Sequence, residues 1–300
     1  MATDTCTHEV AWLGLTLKVP EDWEIVRHSV AVQRGSLIFV DRRRQRLELG
    51  WLSVKSEPDL DHWASDLEQE QRRLDAEVRL RRHAHRGGWQ ALEYGRKNCE
   101  ITTRAVRYEA RSSQLIEAAI ETRDGVSADR DLVAALLDEI SVTAAPESAR
   151  YFRAFDVAVH VPESLRLGAA RVKPADVCFD FVAHDGERER ERGSLASVER
   201  LGMVESWYNG DARALIQSRN PGSRFSSFSS ARYAGHEATL AEGIEPGPLA
   251  KRALGLLRER RVLVFRCERQ NALYALSTSS RKGERIEPQE LRVQCCGGAS

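Results

Sequence analysis

Apolar and polar side chains alternate along much of this chain, as in Leu15-Thr16-Leu17-Lys18-Val19. A period of two places one set of side chains on a buried face and marks a strand. In the first half it predicts strands near 13–19, 31–40, 47–55, 77–86, 91–96, 99–110 and 114–122. Helical spacing is rarer. One helix is predicted from about Leu60 to Asp75, with Asp59 as its N-cap, and another from about Ala128 to Glu139, where Leu132, Val133, Leu136, Leu137 and Ile140 share a face. In the second half the stretch from Pro248 to Arg260 reads as a helix with proline in its first turn. Long runs of strands with few helices predict an α+β fold, an antiparallel sheet covered by helices.

The patterns also recur at about half the chain length, which points to two copies of one unit. Val19-Pro20-Glu21-Asp22-Trp23 answers to Val161-Pro162-Glu163-Ser164-Leu165 at an offset of 142. The helix entry Leu60-Asp61-His62-Trp63 answers to Val204-Glu205-Ser206-Trp207 at 144, and Gly88-Trp89-Gln90-Ala91 to Gly235-His236-Glu237-Ala238 at 147. Arg111, Leu115, Arg123 and Gly125 match Arg269, Leu273, Arg281 and Gly283, all at 158. The halves close with Glu139-Ile-Ser-Val142 against Glu290-Leu-Arg-Val293 at 151. Offsets that change only between elements are what loop insertions produce. The expected domains are 1–146 and 147–300, joined near Ala144–Ala149, with most of the 128–139 helix missing from the second.

This order resembles the PsbP/Mog1/DcrB-like superfamily: an opening strand closed by V-P-E-x-W, a meander, a helix entered on a Trp, a G-x-x-A strand start, a hairpin and a closing E-[IL]-x-V. The likeness covers most of residues 8–145 and, more loosely, 151–296, where Leu165 stands in place of Trp23. The resemblance implies a non-enzymatic protein that binds other proteins, as adaptor, chaperone or scaffold, through a groove between domains or an exposed sheet face. It carries over no catalytic residue.

Composition narrows the field of partners. Among 300 residues, 45 Lys and Arg balance 45 Asp and Glu, so no overall field draws in nucleic acid or anionic membrane. Residues 1–146 carry a charge of −4 and 147–300 carry +4. No apolar run approaches the ~20 residues of a membrane helix, and the opening MATDTCTHEVAW lacks a signal-peptide pattern, so a cytoplasmic protein is expected. G-x-S-x-G, G-x-x-x-x-G-K-[ST], G-x-G-x-x-G and H-E-x-x-H are all absent.

The remaining chemistry is sparse. Arg79, Arg81, His83 and His85 fall on one side of a strand, a cationic row suited to an anion or acidic partner, or a solvated sheet face. Phe225 and Phe228, set among serines, offer an adaptable contact strip unless the rings point inward. Arg42-Arg43-Arg44-Gln45-Arg46 reads as a hairpin turn, and the alternating charges of Glu187–Arg192 as a device that keeps a sheet edge soluble. The six cysteines include no C-x-x-C pair, and neither a disulfide framework nor a cofactor is expected. The alternative reading is a metal- or small-molecule-binding protein that brings Cys6 and His8 to Cys295 and Cys296.

Overall fold

The computed structural model describes residues 7–96, 99–123, 127–184, 195–245, 258–281 and 286–296. Cys6, the charged run at 187–192 and residues 248–257 of the expected third helix lie outside them. The chain divides into two compact units, Met1–Ala149 and Arg150–Ser300. It is α+β throughout, with antiparallel strand pairs and three α-helices among the described residues.

In the first unit a tight hairpin opens the chain: β1 (Thr7–Trp12) and β2 (Leu15–Pro20) join at Leu13-Gly14, and β10 (Ser141–Val142) pairs with β2 on its other side. Leu13 and Gly14 both have positive φ, 48° and 81°, the backbone of a two-residue type I′ turn. Alternation alone merged this turn into a strand beginning at 13, because Leu13 is as apolar as its neighbours. A seven-stranded sheet follows, in the order β3 (Glu24–His28), β4 (Arg34–Val40), β5 (Gln45–Ser53), β9 (Gln114–Arg123), β8 (Glu100–Glu109), β7 (Trp89–Gly95), β6 (Arg79–His85).

Helix α1 (Leu60–Leu74) starts where Asp59 accepts hydrogen bonds from the backbone N–H groups of Asp61 and His62, at 3.0 and 2.9 Å, so the expected N-cap holds. Its Ala64 and Leu67 are buried, and it packs on β7. Helix α2 (Ser127–Glu139) packs on β2 and β9 and buries Val133, Leu136 and Leu137. Trp89, fully buried, donates its indole N–H to the Leu137 carbonyl at 3.0 Å and carries the Arg107 guanidinium on its face. The core between these layers is Trp12, Leu15, Leu17, Leu37, Phe39, Leu47, Leu49, Ile116 and Ile120.

The second unit repeats this connectivity. β11 (Tyr151–Ala154), β12 (Val157–His160) and β20 (Arg292–Gln294) form a three-stranded set. The larger sheet runs β13 (Leu165–Lys173), β14 (Asp176–Ala183), β15 (Ala196–Leu201), β19 (Ala272–Arg281), β18 (Arg258–Cys267), β17 (His236–Ile244), β16 (Arg224–Tyr233). Phe152, Phe179 and Phe181 cluster in its core.

Two expectations need correction here. Val204-Glu205-Ser206 is a 3-10 turn and does not open a helix; α3 (Ala212–Arg219) begins later, where Asp211 accepts from the Ala214 N–H. The expected helix from Pro248 does not reach Arg260, because Arg258, Glu259 and Arg260 already pair with Arg281, Ser280 and Ser279 at the start of β18. Where α2 stands in the first unit, the described residues of the second hold a 3-10 turn, Pro288–Glu290.

Candidate functional site

The cationic row lies on β6, an edge strand. Arg79 and Arg81 are exposed and line a pocket of about 190 Å³ with Glu93 and Tyr94. Farther along, His83 and His85 are half-buried, their rings 5.8 Å apart, and His83 Nε2 lies 3.6 Å from a Glu93 carboxylate oxygen. Burial outweighs the pull of Glu93 and, with the charges of Arg81 and His85, holds the His83 imidazole below its ordinary pKa. The fixed positive charge of the row therefore sits at its arginine end. On the opposite face Arg82 bonds Glu68 and Ser65 of α1.

The side chains of Arg44 and Arg46 in the 42–46 turn are engaged within their own unit. Asp41 accepts from the Arg43 and Arg44 N–H groups, Arg44 pairs with Glu100, and Arg46 lies over the Trp23 ring at 5.6 Å.

Phe225 and Phe228 share one face of β16 although three positions apart. A β-bulge between Phe225 and Ser227 absorbs the extra residue. Their rings, 5.9 Å apart, pack half-buried against the cluster of Val204, Ile216, Val262 and Val264, and Arg213 of α3 caps Phe228. The serines between and beyond them are left exposed.

The exposed apolar corner of this unit is elsewhere. Met203 adopts a left-handed backbone (φ 56°) before the 3-10 turn, and Val204 is fully buried as its anchor. Asn271 fixes the turn twice, its carbonyl accepting from Val204 N–H and its side chain from Glu205 N–H. The result holds Met203 at 65% and Trp207 at 44% exposure. Trp207 donates its indole N–H to the Gly202 carbonyl and meets Tyr208 edge-on at 5.9 Å. Tyr208 lines a groove of about 1110 Å³ that runs from the start of α3 across the ends of β16, β17 and β18. Arg232, Arg266 and Arg269 outnumber Glu237 and Glu268 along it. The first unit has a smaller groove, about 640 Å³, lined by Arg27, His28, Arg34, Trp51 and Leu115 among others.

At the end of the second-unit groove four ligand-type side chains converge. His236 opens β17 immediately after the Ala234-Gly235 turn, whose φ values are 49° and 82°. Cys267 closes β18 and is fully buried, and Cys295 and Cys296 directly follow β20. His236 Nε2 lies 3.2 Å from Cys295 Sγ and 3.4 Å from Cys296 Sγ, and the two sulfurs are 3.8 Å apart. All four ligand atoms fall within 4.8 Å of one another. Burial, with the neighbouring Cys267 and Cys296 thiols, pushes the Cys295 thiol up to about 12.

Of the four terminal residues considered in the sequence, Cys295 and Cys296 come together here. His8 sits on β1 of the first unit, opposite Val19, and Cys6 lies outside the described residues. Linear spacing missed His236 and Cys267 because they occupy the ends of neighbouring strands, where only the sheet order brings them together.

No family model matches the sequence, and no curated protein does either. Among solved structures the chain is similar to cyanobacterial PsbP (CyanoP) from Synechocystis sp. PCC 6803, at 14% identity over 47% of this chain and 95% of that one, TM-score 0.33. It is also similar to the immunity protein TplEi of the type VI secretion system from Pseudomonas aeruginosa, in complex with an "L" peptide, at 9% identity over 95% of this chain and 90% of that one, TM-score 0.31. The apo form of TplEi matches at 10% identity over 96% and 91%, TM-score 0.28.

Proposed function

We propose that this chain is a tandem duplication of one PsbP/Mog1-like unit, with domains 1–146 and 147–300, and that it acts as a non-enzymatic protein-binding adaptor, chaperone or scaffold. The duplication is supported by backbone as well as side chains. Positive-φ turn residues recur at the offsets of the sequence matches: Leu13 and Phe155 at 142, Gly87 and Ala234 at 147, Ser113 and Asn271 at 158. The β8–β9 hairpin, 100–109 with 114–123, recurs residue for residue as β18–β19 at 258–267 with 272–281.

One observation carries the binding role: the Met203–Trp207 corner beside the Tyr208-lined groove. Exposing a tryptophan and a methionine on a turn fixed by Asn271 is unfavourable in water, whereas such residues are the usual anchors of protein interfaces. The surplus of arginine along the groove suits an extended partner segment that sets an apolar side chain on Trp207 and acidic residues against Arg232 and Arg266.

A photo-crosslinking residue at Thr239 in the groove, with one at exposed Lys55 as control, tests this in the native host. The expected result is a partner captured only from Thr239, whose affinity for the reconstituted pure chain falls at least tenfold with Trp207→Ala. Identical capture from both positions, or an unchanged affinity in Trp207→Ala, would refute it.

A further inference from the structure

We infer that His236, Cys267, Cys295 and Cys296 form a closed four-coordinate zinc site in the second unit. The separations among His236, Cys295 and Cys296 are close to those of a tetrahedron around that ion, and Cys267 Sγ lies within 4.8 Å of all three ligand atoms. Bonds of about 2.3 Å to sulfur and about 2.0 Å to imidazole nitrogen place neighbouring sulfurs about 3.8 Å apart and sulfur and nitrogen about 3.5 Å apart. The observed Cys295–Cys296 separation is 3.8 Å, and those from His236 Nε2 are 3.2 and 3.4 Å.

The surroundings hold His236, Cys295 and Cys296 in place. The His236 ring stacks on Phe265, centroids 5.4 Å apart and planes 15° from parallel. Gln270 donates its side-chain N–H to the Cys295 carbonyl, and Arg269 donates to the Cys296 carbonyl at 3.0 Å. The Tyr233 hydroxyl donates to the Leu291 carbonyl and accepts from the Val293 N–H at 2.7 Å, which binds the strand before the cysteines to the hairpin that carries His236. These bonds fix the backbone that carries Cys295 and Cys296.

Three thiolates and one imidazole select a borderline-soft cation with tetrahedral preference. Four protein ligands leave no open position, so the role is structural, a clasp between the chain end and the β16–β17–β18 sheet edge. On binding, each cysteine gives up its thiol proton to solvent and the ion leaves its water shell; nothing is oxidised.

The test uses the full chain, reduced and stripped of metal. Zn²⁺ titration with a competing chelator should give one ion per chain, and Co²⁺ should produce the visible bands of a tetrahedral thiolate complex. His236→Ala and Cys296→Ser should each weaken binding at least a hundredfold, with Cys178→Ala as an unaffected control. Because Cys267 is buried and its loss risks misfolding, the half-buried His236 and Cys296 carry the comparison. Absence of stoichiometric binding overturns the assignment. So does binding that survives both variants, or a disulfide among Cys267, Cys295 and Cys296 in the chain purified without reductant. None of these results depends on whether a partner fills the groove.

Discussion

At the residue scale, a few side chains fix where the reactive ones end up. Tyr233 is the clearest, because one hydroxyl satisfies both a carbonyl and an N–H of the closing strand. Tyr233→Phe leaves those two backbone groups without their partner, at a cost of about 1–3 kcal/mol. Urea denaturation of the full chain should show that loss, and a change under about 0.5 kcal/mol would mean that solvent replaces the hydroxyl. Asn271 works alike from the other side: it holds the 3-10 turn that sets Trp207 outward. In sequence Trp207 reads as a core residue, since its apolar character gives no sign that Val204 has taken the buried place.

At the scale of elements, legibility followed periodicity. α1, α2 and most strands of the first unit were visible because apolar residues recur there at 3.6 or 2. What escaped were features that break the period. The Leu13-Gly14 turn hides inside an apolar run, and the bulge in β16 puts Phe225 and Phe228 on one face when strict alternation would separate them. The metal-type cluster escaped for another reason, since it joins the ends of three strands, β17, β18 and β20, that only topology brings together. Electrostatics between elements is also testable. Glu68 on α1 accepts hydrogen bonds from Arg72 and from Arg82 of β6, which lowers its pKa below the ordinary carboxylate value. Folding therefore gains from its ionised form above the ordinary carboxylate range and loses that gain as pH falls through the lowered native value. Glu68→Gln should be less stable than the parent by a few tenths to about 1 kcal/mol near pH 7. In thermal melts the gap should close as pH falls below the ordinary carboxylate range, and a gap independent of pH would assign the effect to packing.

At the scale of the whole molecule, the two units share a strand order but differ in what they carry. Across the described residues, the four-residue thiol and imidazole cluster belongs to the second unit, as does the larger groove. The first unit carries instead the arginine–histidine row of β6 and an α-helix, α2, in the place where the second has a 3-10 turn. These differences fall at loop ends and strand edges, positions that change at little cost to the core. Among the described residues, no helix is long and apolar enough to cross a membrane.

His236 occupies a position with a reach beyond either of its settings. It is a lining residue of the groove, and its Nε2 lies among the thiols. Linkage makes any coupling between two ligands that share a side chain reciprocal: whatever factor the ion adds to or removes from the partner's affinity, the partner must return to the ion's. Calorimetric titration of one partner into zinc-loaded and metal-free chain should thus give a ratio of affinities equal to the ratio for zinc measured with and without that partner. A ratio of one on both sides would show that the ring keeps its two neighbourhoods separate; a ratio above one makes the second unit a coincidence detector, and a ratio below one makes ion and partner antagonists.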